Sequence, residues 1–150
     1  MPGNLTKQAE ELDGLLTDLI KRYRSRDRST ICCDGVTVAQ CYALKALGRH
    51  GSPTMSRLAK ALRLSLSAAT RVVDQLETKG YALRCRTGPD GRVCCVELTA
   101  SGRSLLSRMQ GMICASEREV LSRMTASERE RLLAALRGFN AALDAPAKHR

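Results

Sequence analysis

The chain has 150 residues, enough for one domain with a real core and too few for two ordinary ones. Hydrophobic residues make up 43% and aromatics only 3%, with no Trp, so the core is expected to be Leu, Val, Ala, Met and Cys packed between helices. A formal net charge of +10 points to a polyanionic partner, and no apolar run approaches the roughly 20 residues that span a bilayer, so nucleic acid is favoured over membrane.

The opening MPGNLTKQAEEL lacks the basic start and apolar centre of a signal peptide, which predicts a cytoplasmic protein. Leu5, Leu12, Leu16, Leu19 and Tyr23 then recur at helical spacing and predict a first helix with one apolar stripe. Its cationic end, KRYRSRDR, reads either as a solvated, dipole-compensating last turn or as a phosphate contact. Thr37 and Gln40 have the spacing of a capping box, with Val36 stapled onto Cys41, and open a second helix that runs through Leu44 and Leu47 and stops at GRHGSP. A short third helix, TMSRLAKAL, turns Leu58, Ala61 and Leu62 inward. After the tight break RLSLS, a fourth helix buries Ala69, Val72, Val73 and Leu76 and ends at Gly80.

From Gly80 the period changes to two, and YALRCR and RVCCVEL flank the turn signal TGPDG, predicting a β-hairpin. Helix returns at Thr99 with Leu105, Leu106, Met109, Met112 and Ile113 on one side. A second capping box, Thr125 with Glu128, starts a last helix that buries Leu132, Leu136, Phe139 and Leu143 near a heptad seam. The tail DAPAKHR is expected to fray.

Two short helices joined by a tight turn, followed at once by a basic hairpin, form a winged helix-turn-helix. The fold class is therefore mainly α with a small β-hairpin wing, a DNA-binding lobe over 36–98 and dimerisation helices over 1–30 and 100–145, all in one domain. Ser67, Ala68 and Thr70 keep the leading surface of the fourth helix narrow enough for a major groove, and Arg71 has the fork geometry for guanine or phosphate. Arg57, Arg84, Arg86 and Arg92 extend a cationic surface on which the acids Asp74, Glu77 and Asp90 are outnumbered. The first and last helices carry apolar stripes that one chain has little left to cover, which predicts a homodimer and a pseudo-palindromic operator with half-sites roughly 34 Å apart.

The stretch LRLSLSAATRVVDQLETKGYALRCRTGPDGRVCCVELTASG resembles the DNA-binding lobe of the MarR (multiple antibiotic resistance regulator) family. The likeness rests on the small-residue recognition helix, LETKGY leading into the first strand, the wing's Asp90-x-Arg92 and the ELTASG that opens the next helix; the helix order fits across nearly all of the chain. It implies a homodimer with intertwined terminal helices, recognition helices in successive major grooves and wing tips in the flanking minor grooves. It also implies that Arg92 enters the minor groove, that Asp90 orients it or a nearby Arg, and that an inducer acts in the cleft between the lobe and the dimerisation helices.

Seven cysteines, an odd number with two adjacent pairs, do not form a secreted disulfide framework. Cys32, Cys33 and Cys41 sit at the junction of helices one and two, beside that cleft. Two readings stand: a sensor for a thiophilic ion such as arsenic(III), mercury or cadmium or for an oxidant, with zinc fitting three ligands less well, or packing by small apolar side chains, above all for Cys41. Cys85, Cys94, Cys95 and Cys114 read as structural; strain and a reducing compartment weigh against a cross-strand Cys85 bond. His50 and His149 make no metal centre, and no catalytic motif is present, so no enzymatic activity is expected. The expected function is a transcriptional regulator, a repressor released by a small-molecule or metal(loid) inducer or by thiol modification. The alternatives are a thiol-redox or metal-buffering protein, which lacks a Cys-x-x-Cys, and a nonspecific nucleic-acid module.

Overall fold

The structure, a computed structural model, describes residues 2–30, 35–87 and 93–145, with side chains over 4–25, 35–86 and 93–145. Its elements run α1 (Pro2–Thr30), α2 (Val38–His50), α3 (Met55–Leu62), α4 (Leu66–Thr78), β1 (Ala82–Thr87), β2 (Val93–Leu98), α5 (Ala100–Ser122) and α6 (Ala126–Asp144). Among the described residues no helix is long and apolar enough to cross a membrane. Backbone contacts divide the chain into two compact units, Met1–Gln110 and Gly111–Arg150, where composition alone favours one.

In the first unit, α2 starts as its capping box requires. Thr37 is extended, its hydroxyl accepts from the Gln40 amide at 3.3 Å, and Gln40 Oε1 accepts from the Thr37 amide at 3.0 Å. Such a cap is worth about 1 kcal/mol. Leu44 and Leu47 of α2, Leu58 of α3, Val73 and Leu76 of α4, Val96 of β2 and Leu105 of α5 are all at most 1% exposed and form one core. Each contributes roughly 1.5–3 kcal/mol by leaving water, so the helix-turn-helix and hairpin are held by shared burial and not by helix propensity.

β1 and β2 pair antiparallel from Ala82↔Leu98 to Thr87↔Val93. The edge of β2 is met by the segment before α3, where the Val96 amide donates to Pro53 O at 3.0 Å. α5 is seated on the lobe by its first turn. The Thr99 hydroxyl donates to Gly80 O at 2.7 Å and accepts from the Gly102 amide at 3.0 Å, while the Thr99 amide donates to Tyr81 O. A Cβ on Gly102 would lie 1.9 Å from that Tyr81 oxygen, which is why ELTASG has Gly at this position.

In the second unit, α6 opens on its capping box, with Thr125 accepting from the Glu128 amide and Glu128 Oε2 accepting from the Thr125 amide at 2.8 Å. Arg129 Nη1 donates to Leu121 O and Met124 O, both at 3.2 Å, and so satisfies carbonyls at the end of α5.

Several expectations are corrected. In α3, Ala59 is buried and Ala61 exposed. The two flank the Leu58–Leu62 line at equal angles, so helical period cannot choose between them and the packing against α2 and α4 does. α6 has no buried residue: Leu132, Leu136 and Leu143 are 38%, 46% and 61% exposed, and Phe139 is half-buried. The described side chains of α1 are likewise unburied, with Leu5, Leu15 and Ile20 more than half exposed. The turn 88–92 and the tail 146–150 lie outside the described residues.

Candidate nucleic-acid interface

The site is built on α3, α4 and the hairpin. Thr54 caps α3 by accepting from the Arg57 amide at 3.3 Å, and Ser65 caps α4 by accepting from the Ala68 amide at 3.2 Å. Between them Arg63 takes a left-handed conformation (φ 53), which lets the chain turn in three residues without a glycine. Ala69, Val73 and Leu76 anchor α4 from below, while Val72 is only partly buried. Its other side therefore faces outward: Ser67 and Arg71 are exposed, Ala68 and Thr70 half-exposed. The Thr70 hydroxyl donates to Leu66 O at 2.8 Å, and its oxygen keeps accepting capacity. This leading surface is narrow, capped and unobstructed, with a guanidinium one turn in.

Arg57 on α3 and Arg86 on β1 are exposed and flank α4 in sequence and structure. Arg84 behaves differently from what its charge predicts. Its Nη2 lies 2.7 Å from Asp74 Oδ1, its Nη1 pairs with Glu77 Oε2, and its amide donates to Glu77 Oε1 at 2.8 Å. The hydrogen bond to Asp74, against the cost of burial and with the charge of Glu77, holds the guanidinium still more firmly protonated than usual. Arg84 thus clamps β1 to α4. The clamp offsets one of the two carboxylate charges of α4, and Arg57, Lys60, Arg71 and Arg86 remain exposed.

A second network ties α4 to the start of α2. Gln40, only 2% exposed, donates through Nε2 to Gln75 Oε1 at 2.8 Å and accepts at Oε1 from Lys79 Nζ at 2.9 Å. Lys79 Nζ also donates to Gly35 O. The sequence pattern shows Gln40 only as a cap and gives no sign of the contact to Lys79; the burial of Gln40 is what converts both into a link. A cavity of about 480 Å3 opens elsewhere in the lobe, lined by Leu47, Gly48 and Ser52 beside α2, Glu97 on β2, and Arg103 and Leu106 on α5. Arg103 Nη1 is held by Leu98 O at 2.7 Å.

Asp90, Arg92, Cys32 and Cys33 lie outside the described residues, as does His149. Cys41 is 2% exposed, in the same core cluster as Val36. Cys85 and Cys94 are half-buried, Cys95 is buried and Cys114 is exposed. Among the described residues no group of three or more His, Cys, Asp or Glu is placed to hold a metal.

A model of the MarR family matches residues 34–93, the span that contains α2, α3, α4 and β1 and reaches the first residue of β2. The chain is 31% identical over 131 residues to the uncharacterized HTH-type transcriptional regulator YwhA of Bacillus subtilis, covering 85% of this chain and 91% of that protein. Its fold is similar to that of a MarR family protein from Bacillus stearothermophilus, with a TM-score of 0.84 at 22% identity over 93% of this chain and 97% of the other. It is also similar to Streptococcus pneumoniae FabT, solved in complex with DNA, with a TM-score of 0.80 at 20% identity over 90% and 96% of the two chains. The exposed, capped face of α4, the clamped hairpin and these likenesses over nearly the whole length lead to one conclusion: the chain belongs to the MarR family of winged helix-turn-helix transcriptional regulators.

Proposed function

We propose that this regulator acts as a homodimeric repressor that places Ser67–Arg71 of each copy in successive major grooves of a pseudo-palindromic operator, with Arg57, Arg86 and Arg92 on the backbone or in the flanking minor groove. The observation that carries this is the outward face of α4, small and polar at its tip with Arg71 exposed behind it. The DNA complex of the similarly folded FabT supports it. The exposed apolar stripes of α1 and α6 support the dimer, because burying them against a second copy removes Leu5, Leu15, Leu136 and Leu143 from water at about 25 cal/mol per Å2. Two lobes on one duplex also explain how a small shift releases DNA: changing their separation by a few Å discards one set of contacts and most of the affinity. A repressor then works by occupying promoter DNA. Its place of action is the cytoplasm, where the duplex is, and the reading assigns the chain no catalytic step.

Release by an inducer is part of the proposal. Two entry points support it: the cavity of about 480 Å3, whose mixed lining of Leu47, Leu106, Glu97 and Arg103 suits a small amphipathic molecule, and the Cys32–Cys33 pair, whose thiols suit an oxidant or a thiophilic metal or metalloid such as arsenic(III), mercury or cadmium. The test is a gel shift with a duplex selected from a random pool. Nanomolar, salt-dependent binding by a dimer, at least about a thousandfold tighter than for random DNA, supports the reading. Equal affinity for both duplexes overturns sequence specificity. Release by arsenite or peroxide that persists in Cys32→Ser and Cys33→Ser overturns the thiol route.

A further inference from the structure

The hairpin register puts Cys85 of β1 directly opposite Cys95 of β2. The neighbouring pair, Arg84 and Val96, sends both amides away from the ladder, to Glu77 Oε1 at 2.8 Å and to Pro53 O at 3.0 Å. By the alternation of an antiparallel ladder, Cys85 and Cys95 are then a hydrogen-bonded pair, whose Cα atoms stand about 5.5 Å apart. That Cα separation lies inside the window a disulfide needs and the two side chains leave the sheet on the same face, while the Cβ atoms of such a pair stand wider than in a relaxed bridge, so closure must draw the strands together. Cys94 points to the opposite face and is excluded by the same alternation. Cys85 is half-buried, with its Sγ 3.5 Å from Ser52 Oγ, while Cys95 is 5% exposed beneath it.

We propose that Cys85 and Cys95 are a redox-active pair that closes to a cross-strand disulfide at the base of the wing when it meets a low-molecular-weight disulfide, and that closure weakens DNA binding. The Cys85 thiol, the more exposed of the two, loses its proton and attacks one sulfur of the small disulfide, releasing one thiolate and leaving a mixed disulfide. Cys95 then loses its proton and attacks the Cys85 sulfur, releasing the second thiolate. Each departing thiolate takes up one of the protons, so two protein thiols are oxidised and one small disulfide is reduced to two thiols. The Ser52 hydroxyl stabilises the Cys85 thiolate, but burial and the neighbouring Glu97 outweigh it and push the thiol up.

Closure acts on the wing because Cys85 lies between Arg84 and Arg86. Drawing its sulfur toward Cys95 pulls it from Ser52, alters the local twist and shifts the strand that carries both the clamp to α4 and an exposed arginine. Cross-strand bonds of this kind are strained, hence readily reduced, which suits a reversible device. The effect on DNA rests on the hairpin being the wing of a DNA-binding lobe.

The experiment treats the full-length reduced protein with oxidised glutathione, alkylates the remaining thiols and maps tryptic peptides. In parallel it measures affinity for a duplex selected by the reduced protein. We expect Cys85 joined to Cys95, an affinity lowered about tenfold and restored by dithiothreitol, and neither change in Cys85→Ser or Cys95→Ala. Cys85 recovered alkylated, carrying only glutathione, or joined to Cys94 overturns the pair. Unchanged affinity of the linked protein, or a loss that persists in both variants, overturns the device. Failure of the reduced protein to select any duplex defeats the DNA-binding reading instead, and the peptide map still decides the pair.

Discussion

Arg84 on β1 and Asp74 on α4 lie 2.7 Å apart, so one ion pair joins the wing to the recognition helix. With Glu77 completing the site, the guanidinium fixes the angle at which the hairpin leaves α4. Arg84→Ala is expected to destabilise the fold by about 1–2 kcal/mol; the half-exposed Asp74 pair adds little of this, and most comes from the half-buried Glu77 losing its partner. DNA affinity should fall while its dependence on salt concentration stays as in wild type, because no phosphate contact is removed. Thermal unfolding and a salt titration of binding check both parts.

Arg71→Ala and Arg92→Ala should each weaken operator binding by about 1–3 kcal/mol, with melting temperature unchanged, and Arg92→Ala should be the more sensitive to salt. Quantitative gel shifts at several salt concentrations separate these cations from Arg84. Wild-type affinity in both variants would refute the assigned roles.

Gly102→Ala should destabilise by about 1–3 kcal/mol or more, since its Cβ meets the Tyr81 carbonyl at 1.9 Å and a backbone oxygen on the lobe has nowhere to go. Gly48→Ala meets the end of the Leu106 side chain at 2.4 Å, which a rotamer change relieves. Chemical denaturation should rank the first well above the second.

Leu136→Glu should turn the proposed dimer into a monomer without loss of helix content, because Leu136 is already 46% exposed in one chain. Sedimentation and circular dichroism together read the outcome. A dimer that persists at micromolar concentration would remove α6 from the interface.

The Glu128 carboxylate is held below its ordinary range first by the Thr125 amide and then by the Thr125 hydroxyl. A group depressed in the folded state contributes stability at pH above its unfolded value, and that contribution is lost as pH falls through the folded one. The start of α6 should therefore loosen in acid below the ordinary carboxylate range, and Glu128→Gln should flatten this dependence. Hydrogen exchange of the first α6 amides against pH measures it.

Local chemistry was legible in the residues. Both capping boxes, the left-handed Gly80 and the change of period at the hairpin need only neighbours a few positions apart. What stayed hidden depends on tertiary register. Arg84 reads as one more cation until the hairpin folds back and presents it to Asp74 and Glu77, and Ala59 and Ala61 are equivalent on an isolated helix. Whether Cys85 faces Cys94 or Cys95 turns on a single residue of strand register, which a five-residue turn leaves undetermined. The stripes of α1 and α6 were visible as apolar, but a chain read alone does not say which molecule covers them.

Hydroxyl-radical footprinting of the reduced protein on a selected duplex tests the central claim most directly. Paired recognition helices predict two protected patches on one face, their centres about one helical turn apart, at a stoichiometry of two chains per duplex, with Arg71→Ala weakening both patches together. A single patch bound by one chain, or protection running evenly along both faces, would contradict it.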